Sequence, residues 1–170
     1  MLIANAFLDL VPLSTALPQL FGLIEPGGLF YFTVTFDGVT SFEPPVDPDL
    51  DDQIEALYHA DMDARRLDGW PTGGSRAGRV LLRQLLAFGA PVLAAGASDW
   101  VVYPGLDGYP ADEAYFLHFI LHTIERALAG HPALDADSFA AWLACRHAQV
   151  ENAELVYVAH QLDVLGQLPR

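Results

Sequence analysis

Lysine is absent from this chain, and its eight positive charges, all arginine, stand against 22 acidic residues for a net charge of -14. That imbalance argues against a nucleic-acid or anionic-membrane partner, both of which need a basic surface. A single cysteine, Cys145, allows neither an internal disulfide nor a cysteine cluster, and it suits a reducing compartment. No apolar run is long enough to span a bilayer without a Pro or Gly break, and no positive leader opens the chain. The expectation is a soluble, cytoplasmic protein with no membrane contact. Neither G-x-G-x-x-G nor any strand-led glycine loop occurs, and H-E-x-x-H is missing too. His118 and His122 share a helix face without a third ligand nearby, so no metal site is expected.

What the chain does have is apolar residues, 52% of 170, enough for one domain with a sizeable core. Leu29 to Phe36 is the organising stretch, an unbroken apolar, aromatic and β-branched run entered through Pro26-Gly27-Gly28. It reads as a strand covered on both faces and central to a sheet. Leu2 to Phe7 reads as an earlier strand, and a helix around Leu17, Leu20, Phe21 and Ile24, with Pro18 in its first turn, joins the two. Strand, helix and strand make one crossover unit.

Beyond it, Thr40 to Pro48 reads as a proline-rich loop and Asp49 to Leu67 as a helix, with an irregular stretch over 69–75. A helix from Arg76 to Phe88 follows, with Val80, Leu81, Leu85 and Phe88 as its buried stripe. Residues 40–75 exceed what a crossover requires and mark a helical and loop insertion, a candidate lid or substrate-binding segment. Pro91 to Tyr103 reads as a strand broken at 96–99. Helices from Asp112 to Ala129 and from Asp135 or Asp137 to Val150 precede a last strand, Glu154 to His160, with a loosely determined tail after it. Cys145 and His160 read as core.

The opening strand is apolar on both faces, and an edge of that kind is normally covered. Together with the missing glycine loop, this leads to the expectation that the chain is the second half of a doubly wound domain. Asn5-Ala-Phe-Leu-Asp-Leu10, the following helix, Leu23-Ile-Glu-Pro-Gly-Gly-Leu-Phe-Tyr-Phe32, a two-part strand and a late final strand resemble the C-terminal half of class I S-adenosylmethionine-dependent methyltransferases. The resemblance implies an α/β fold, the later half of a Rossmann-like doubly wound sheet, mainly parallel with a reversed last strand. It implies S-adenosylmethionine as cofactor, with Asn5, Ala6 and Phe7 beside its methionine portion and a small-molecule substrate. The acidic, glycine-rich first motif of that family and the acidic residue after its second strand are absent. A partner chain or a homodimer contact is therefore expected to cover the Leu2 to Ala6 edge.

Substrate-site candidates follow from position and charge. Asp37 ends the organising strand, either in a turn or facing the crevice. His59 lies in an ionisable cluster on the Asp49 to Leu67 helix, whose bland reading is a solvated face. Arg66, Arg76 and Arg79 belong to a group of five arginines within 65–83, the best hint of an anionic substrate, since guanidinium binds carboxylate or phosphate in a fork. Asp99 and Trp100 interrupt a strand, as a pocket lining or as a bulge. Rivals to the enzyme reading are a non-catalytic remnant acting as a dimeric scaffold and one half of a split methyltransferase.

Overall fold

The computed structural model describes residues 1–170, and the chain is α/β with a mixed sheet. It divides into two compact units, one built from residues 1–39, 62–100 and 159–170, the other from 40–61 and 101–158. The 40–75 insertion is thus shared out, its first part going to the second unit and its last part to the first. No helix is long and apolar enough to cross a membrane.

In the first unit, β1 (Leu2–Asn5) pairs in parallel with β2 (Leu29–Glu43), Leu2 opposite Phe30 and Asn5 opposite Thr33. Helix α1 (Leu13–Phe21) connects them. It begins earlier than expected because Pro12 is its N-cap, its carbonyl accepting from Ala16 N at 2.9 Å, so Pro18 falls inside the helix. The Pro-Gly-Gly entry to β2 depends on glycine: a Cβ on Gly28 would collide with the Ile24 side chain and sit 2.8 Å from the Glu25 carbonyl.

β7 (Val156–Gln167) lies between β2 and β5 (Val92–Ala97) and runs antiparallel to β5. β2 is therefore interior and β1 is at an edge, as its pattern implies. The tail is better ordered than the sequence suggests, since alternation of buried and half-buried residues carries β7 on to Gln167. Helices α1 and α3 (Ala77–Ala87) pack Leu13, Leu17, Leu81 and Leu85 onto Phe30, Phe32 and Val164. Phe30 and Phe32 stack at 5.0 Å between centroids, and Phe21 meets Phe30 at 5.3 Å. Each such buried Phe contributes roughly 1.5 to 3 kcal/mol. Phe88, expected in the buried stripe, lies just past the helix and is exposed. Burial on both faces of the organising strand is not what this unit shows: Tyr31 and Leu165 are only half-buried, beside Ala94 and Ala95 in a shallow depression, and Ile3 and Leu93 are exposed.

Strand β2 does not alternate regularly. Val34 has φ 56, a left-handed conformation strained for a β-branched residue. Beyond it, Thr35, Phe36 and Asp37 are all buried. Between β2 and α3, Arg66–Leu67 (β3) and Trp70–Pro71 (β4) form a short hairpin, and Gly74–Arg76 a 3-10 turn.

In the second unit, α2 (Pro48–Ala64) contributes residues up to Asp61, and α4 (Glu113–Leu128) packs on α5 (Ala136–Glu151). The expected loop over 40–48 begins as strand, because β2 continues to Glu43. α4 buries Leu117, Leu121, Ile124 and Leu128, one helical stripe. α5 buries Phe139, Trp142, Leu143, Arg146 and Val150, and Asp135 caps it by accepting from Ser138 N at 2.9 Å. Cys145, expected inside, is exposed: it lies one position off that stripe. β6 (Trp100–Val102) pairs with β7, so the predicted two-part strand is two strands broken at Ser98 and Asp99.

Candidate functional site

Parallel pairing brings the carboxyl end of β1 beside the middle of β2. There Ala6 takes φ 47 and its N–H donates to Thr33 O at 3.0 Å, turning the chain out of the sheet. Asn5, Ala6 and Phe7 are consequently exposed at a strand end, where a ligand of an α/β sheet is ordinarily met.

Four residues beyond Thr33, Asp37 is buried and closes the start of α3. Its Oδ1 accepts from the Arg79 backbone N at 2.8 Å, and both carboxylate oxygens accept from Arg79 Nε at 2.9 and 3.0 Å. Arg79 Nη2 also donates to the Asp37 carbonyl at 3.0 Å. The hydrogen bond and the charge of Asp37 raise the Arg79 pKa further. Arg79, expected to meet an anionic substrate, is therefore already held by an internal carboxylate. The Gly73-Gly-Ser turn is occupied likewise, Ser75 N donating to Asp63 Oδ1 at 2.8 Å. Arg76 is exposed on the same turn, with its stem near Gly38. Arg66 is turned to its own backbone, donating to the carbonyls of Asp63 and Arg65 at 2.9 Å. The arginines do not converge on one anion site.

Asp99 pairs with His160, Oδ1 to Nδ1 at 2.7 Å, and Trp100 beside it is 41% exposed. His160, read as core, is thus a half-buried polar partner within β7 rather than an apolar filler. His59 belongs to the second unit, where it meets Thr40 Oγ1 at 3.4 Å and Glu55 at 3.9 Å.

Two constellations were not foreseen. In the first unit Asp163, on β7, accepts from Tyr31 Oη at 3.2 Å, from Val34 N at 3.0 Å and from Ser98 Oγ at 2.7 Å. It supplies the acceptor that the strained Val34 N–H would otherwise lack. Its charge, more than burial or the hydrogen bond, raises the Tyr31 pKa.

In the second unit Arg146 is fully buried, donating to Asp51 Oδ1 at 2.5 Å, Pro44 O at 2.6 Å and Gln149 Oε1 at 2.8 Å. Its guanidinium carbon lies 5.3 Å from the Trp142 ring centre and 5.5 Å from that of Phe42. Trp142 Nε1 donates to the same Asp51 oxygen. Burial pushes the Asp51 carboxyl upward, but the hydrogen bonds from Trp142 and Arg146, the charge of Arg146 and the Val46 N–H outweigh it and hold the pKa below the usual range. These groups wall a cavity of about 260 Å³. The signal was in the sequence: Arg146 falls on the spacing of Phe139, Trp142, Leu143 and Val150, the apolar face, where an unpaired arginine is rarely tolerated.

No protein-family model matches the chain, and no curated protein matches it.

Proposed function

We propose that this chain is the later portion of a class I S-adenosylmethionine-dependent methyltransferase acting on a small, anionic molecule. The observation that carries the reading is the pairing of β1 and β2 in parallel through α1 and the Pro-Gly-Gly turn, with Asn5, Ala6 and Phe7 exposed where β1 ends. The reversed strand β7 beside β5 supports it as well, since the resemblance implies a reversed pair at the far side of the sheet. Such a domain would be the second half of a Rossmann-like doubly wound sheet.

In this reading S-adenosylmethionine supplies an activated methyl group for in-line transfer to a nucleophilic oxygen, nitrogen or carbon. Asn5 and Phe7, whose side chains are open at the strand end, fit a wall beside its methionine portion. Catalysis of this kind rests on proximity and orientation, so no acid or base of this chain is assigned. Of the three arginines expected to meet an anionic acceptor, Arg76 is the exposed one that neither a carboxylate nor a backbone carbonyl holds, and it is the contact left for such a group. The first motif of the family is not in the sequence, and this chain alone is expected to bind the cofactor weakly. A partner chain along the edge of β1 would supply what is missing, whereas a homodimer contact would only cover that edge, and the protein would work in the cytoplasm.

The test is a nuclear magnetic resonance titration with S-adenosylhomocysteine at millimolar concentration. Amide shifts confined to Asn5, Ala6, Phe7 and the paired Thr33 are expected. Shifts elsewhere, or none, would sink the reading, and micromolar affinity would refute a partial site. A dimeric scaffold is the rival favoured by the same bare edge: a well-behaved dimer with no cofactor shifts supports it.

A further inference from the structure

The cavity of the second unit is concave, walled by aromatic rings and unbalanced in charge. Glu43, Asp51, Asp52 and Glu55 line it, and Arg146 is its one cation. Four carboxylates against one guanidinium leave three negative charges in excess. The arginine does not make this an anion site, because its charge is matched by Asp51 and both of its Nη atoms already donate to protein oxygens. An incoming carboxylate or phosphate would meet the remaining acidic groups and be repelled.

We propose that this cavity binds a small organic ammonium ion. The volume, about 260 Å³, lies just under the range in which drug-sized ligands are held, so a compact molecule is implied. Its cationic head is matched by Glu55, half-buried, and by Asp52 and Glu43, exposed. Its apolar body is matched by Phe42, Tyr58 and Ile54. Arg146 itself is fully enclosed and out of a ligand's reach, so the class selected is a compact ammonium with a short apolar body, as choline is. The proposal rests on the second unit alone and stands whether or not the methyltransferase reading does.

The probe is choline chloride, titrated into the full chain and followed by amide shifts at Glu55, Tyr58 and Ile54. Saturable shifts near about 1 mM are expected. Its neutral isostere 3,3-dimethylbutan-1-ol should give none. Glu55→Gln, which keeps an oxygen for the Thr40 N–H now accepted by Glu55 Oε1, should weaken choline about tenfold, and the surface change Asp52→Asn about threefold. Absence of saturation, equal binding of the neutral isostere, unchanged affinity in both variants, or preferential binding of acetate would each overturn the proposal.

Discussion

Asp51 and Arg146 lie 95 residues apart in sequence and 2.5 Å apart at their charged atoms, one with a side chain 18% exposed and the other wholly enclosed. The asymmetry sets what each loss does. Asp51→Ala strands a guanidinium with no access to water and is expected to cost about 3 to 5 kcal/mol in urea unfolding. Arg146→Met leaves a carboxylate that still reaches solvent, and its cost should be smaller. The double variant should lose less than the sum, by about 1 to 3 kcal/mol, as coupled neighbours do. Because the folded Asp51 pKa is depressed, its stabilisation is complete above the unfolded carboxylate value of about 3.9 and drains away as pH falls through the lower folded one. Asp51→Ala should flatten that acid limb.

Tyr31 reports on Asp163. With carbon-13 at the tyrosine Cζ positions, the Tyr31 phenol should titrate above its ordinary value of about 10 in the native chain and move back down in Asp163→Asn. The same substitution leaves an amide facing the Val34 N–H and two hydroxyls, and about 1 to 3 kcal/mol of stability should go with it. An unmoved Tyr31 titration would contradict the hub.

His118 and His147 stack at 4.9 Å with Nδ1 atoms 2.7 Å apart, a contact that needs one nitrogen protonated and the other bare. Burial first, and then the charge of His118, depresses the His147 pKa. A depressed histidine contributes stability that is present above its unfolded pKa, about 6.5, and is lost as pH falls below it. The urea midpoint should therefore drop between about pH 7 and pH 5, and His147→Asn should drop less over the same interval.

Gly166→Ala is expected to be severe, because a Cβ there would overlap the Phe30 ring, which is fully buried. A loss of about 3 kcal/mol is expected from overpacking, and Phe30→Leu in the same chain should recover part of it. Thermal unfolding of the single and double variants measures both.

The readable parts of this fold were those governed by local pattern. Phe30 and Phe32 with the Pro-Gly-Gly turn announced an interior strand, and Asp112 announced the start of α4. Asp135 or Asp137 signalled the start of α5, and the structure has Asp135 as its cap. What stayed hidden depended on partners distant in sequence. Nothing near Asp37 says that Arg79 will take its carboxylate, and nothing near Val34 says that Asp163 will accept its N–H, so one arginine was assigned to a substrate and one aspartate passed over. The exposure of Ile3 and Leu93 escaped for a similar reason: periodicity marks a residue as apolar, whereas cover comes from whatever element the topology happens to lay there.

Strands β2 and β7 each run through both units, one crossing at Val39 and Thr40 and the other at Val158 and Ala159. Neither unit can then be excised by choosing cloning boundaries, since every cut that frees one of them severs a continuous strand. Dissecting the two by truncation would report on broken chains, and point substitution is the route by which their separate contributions can be assigned.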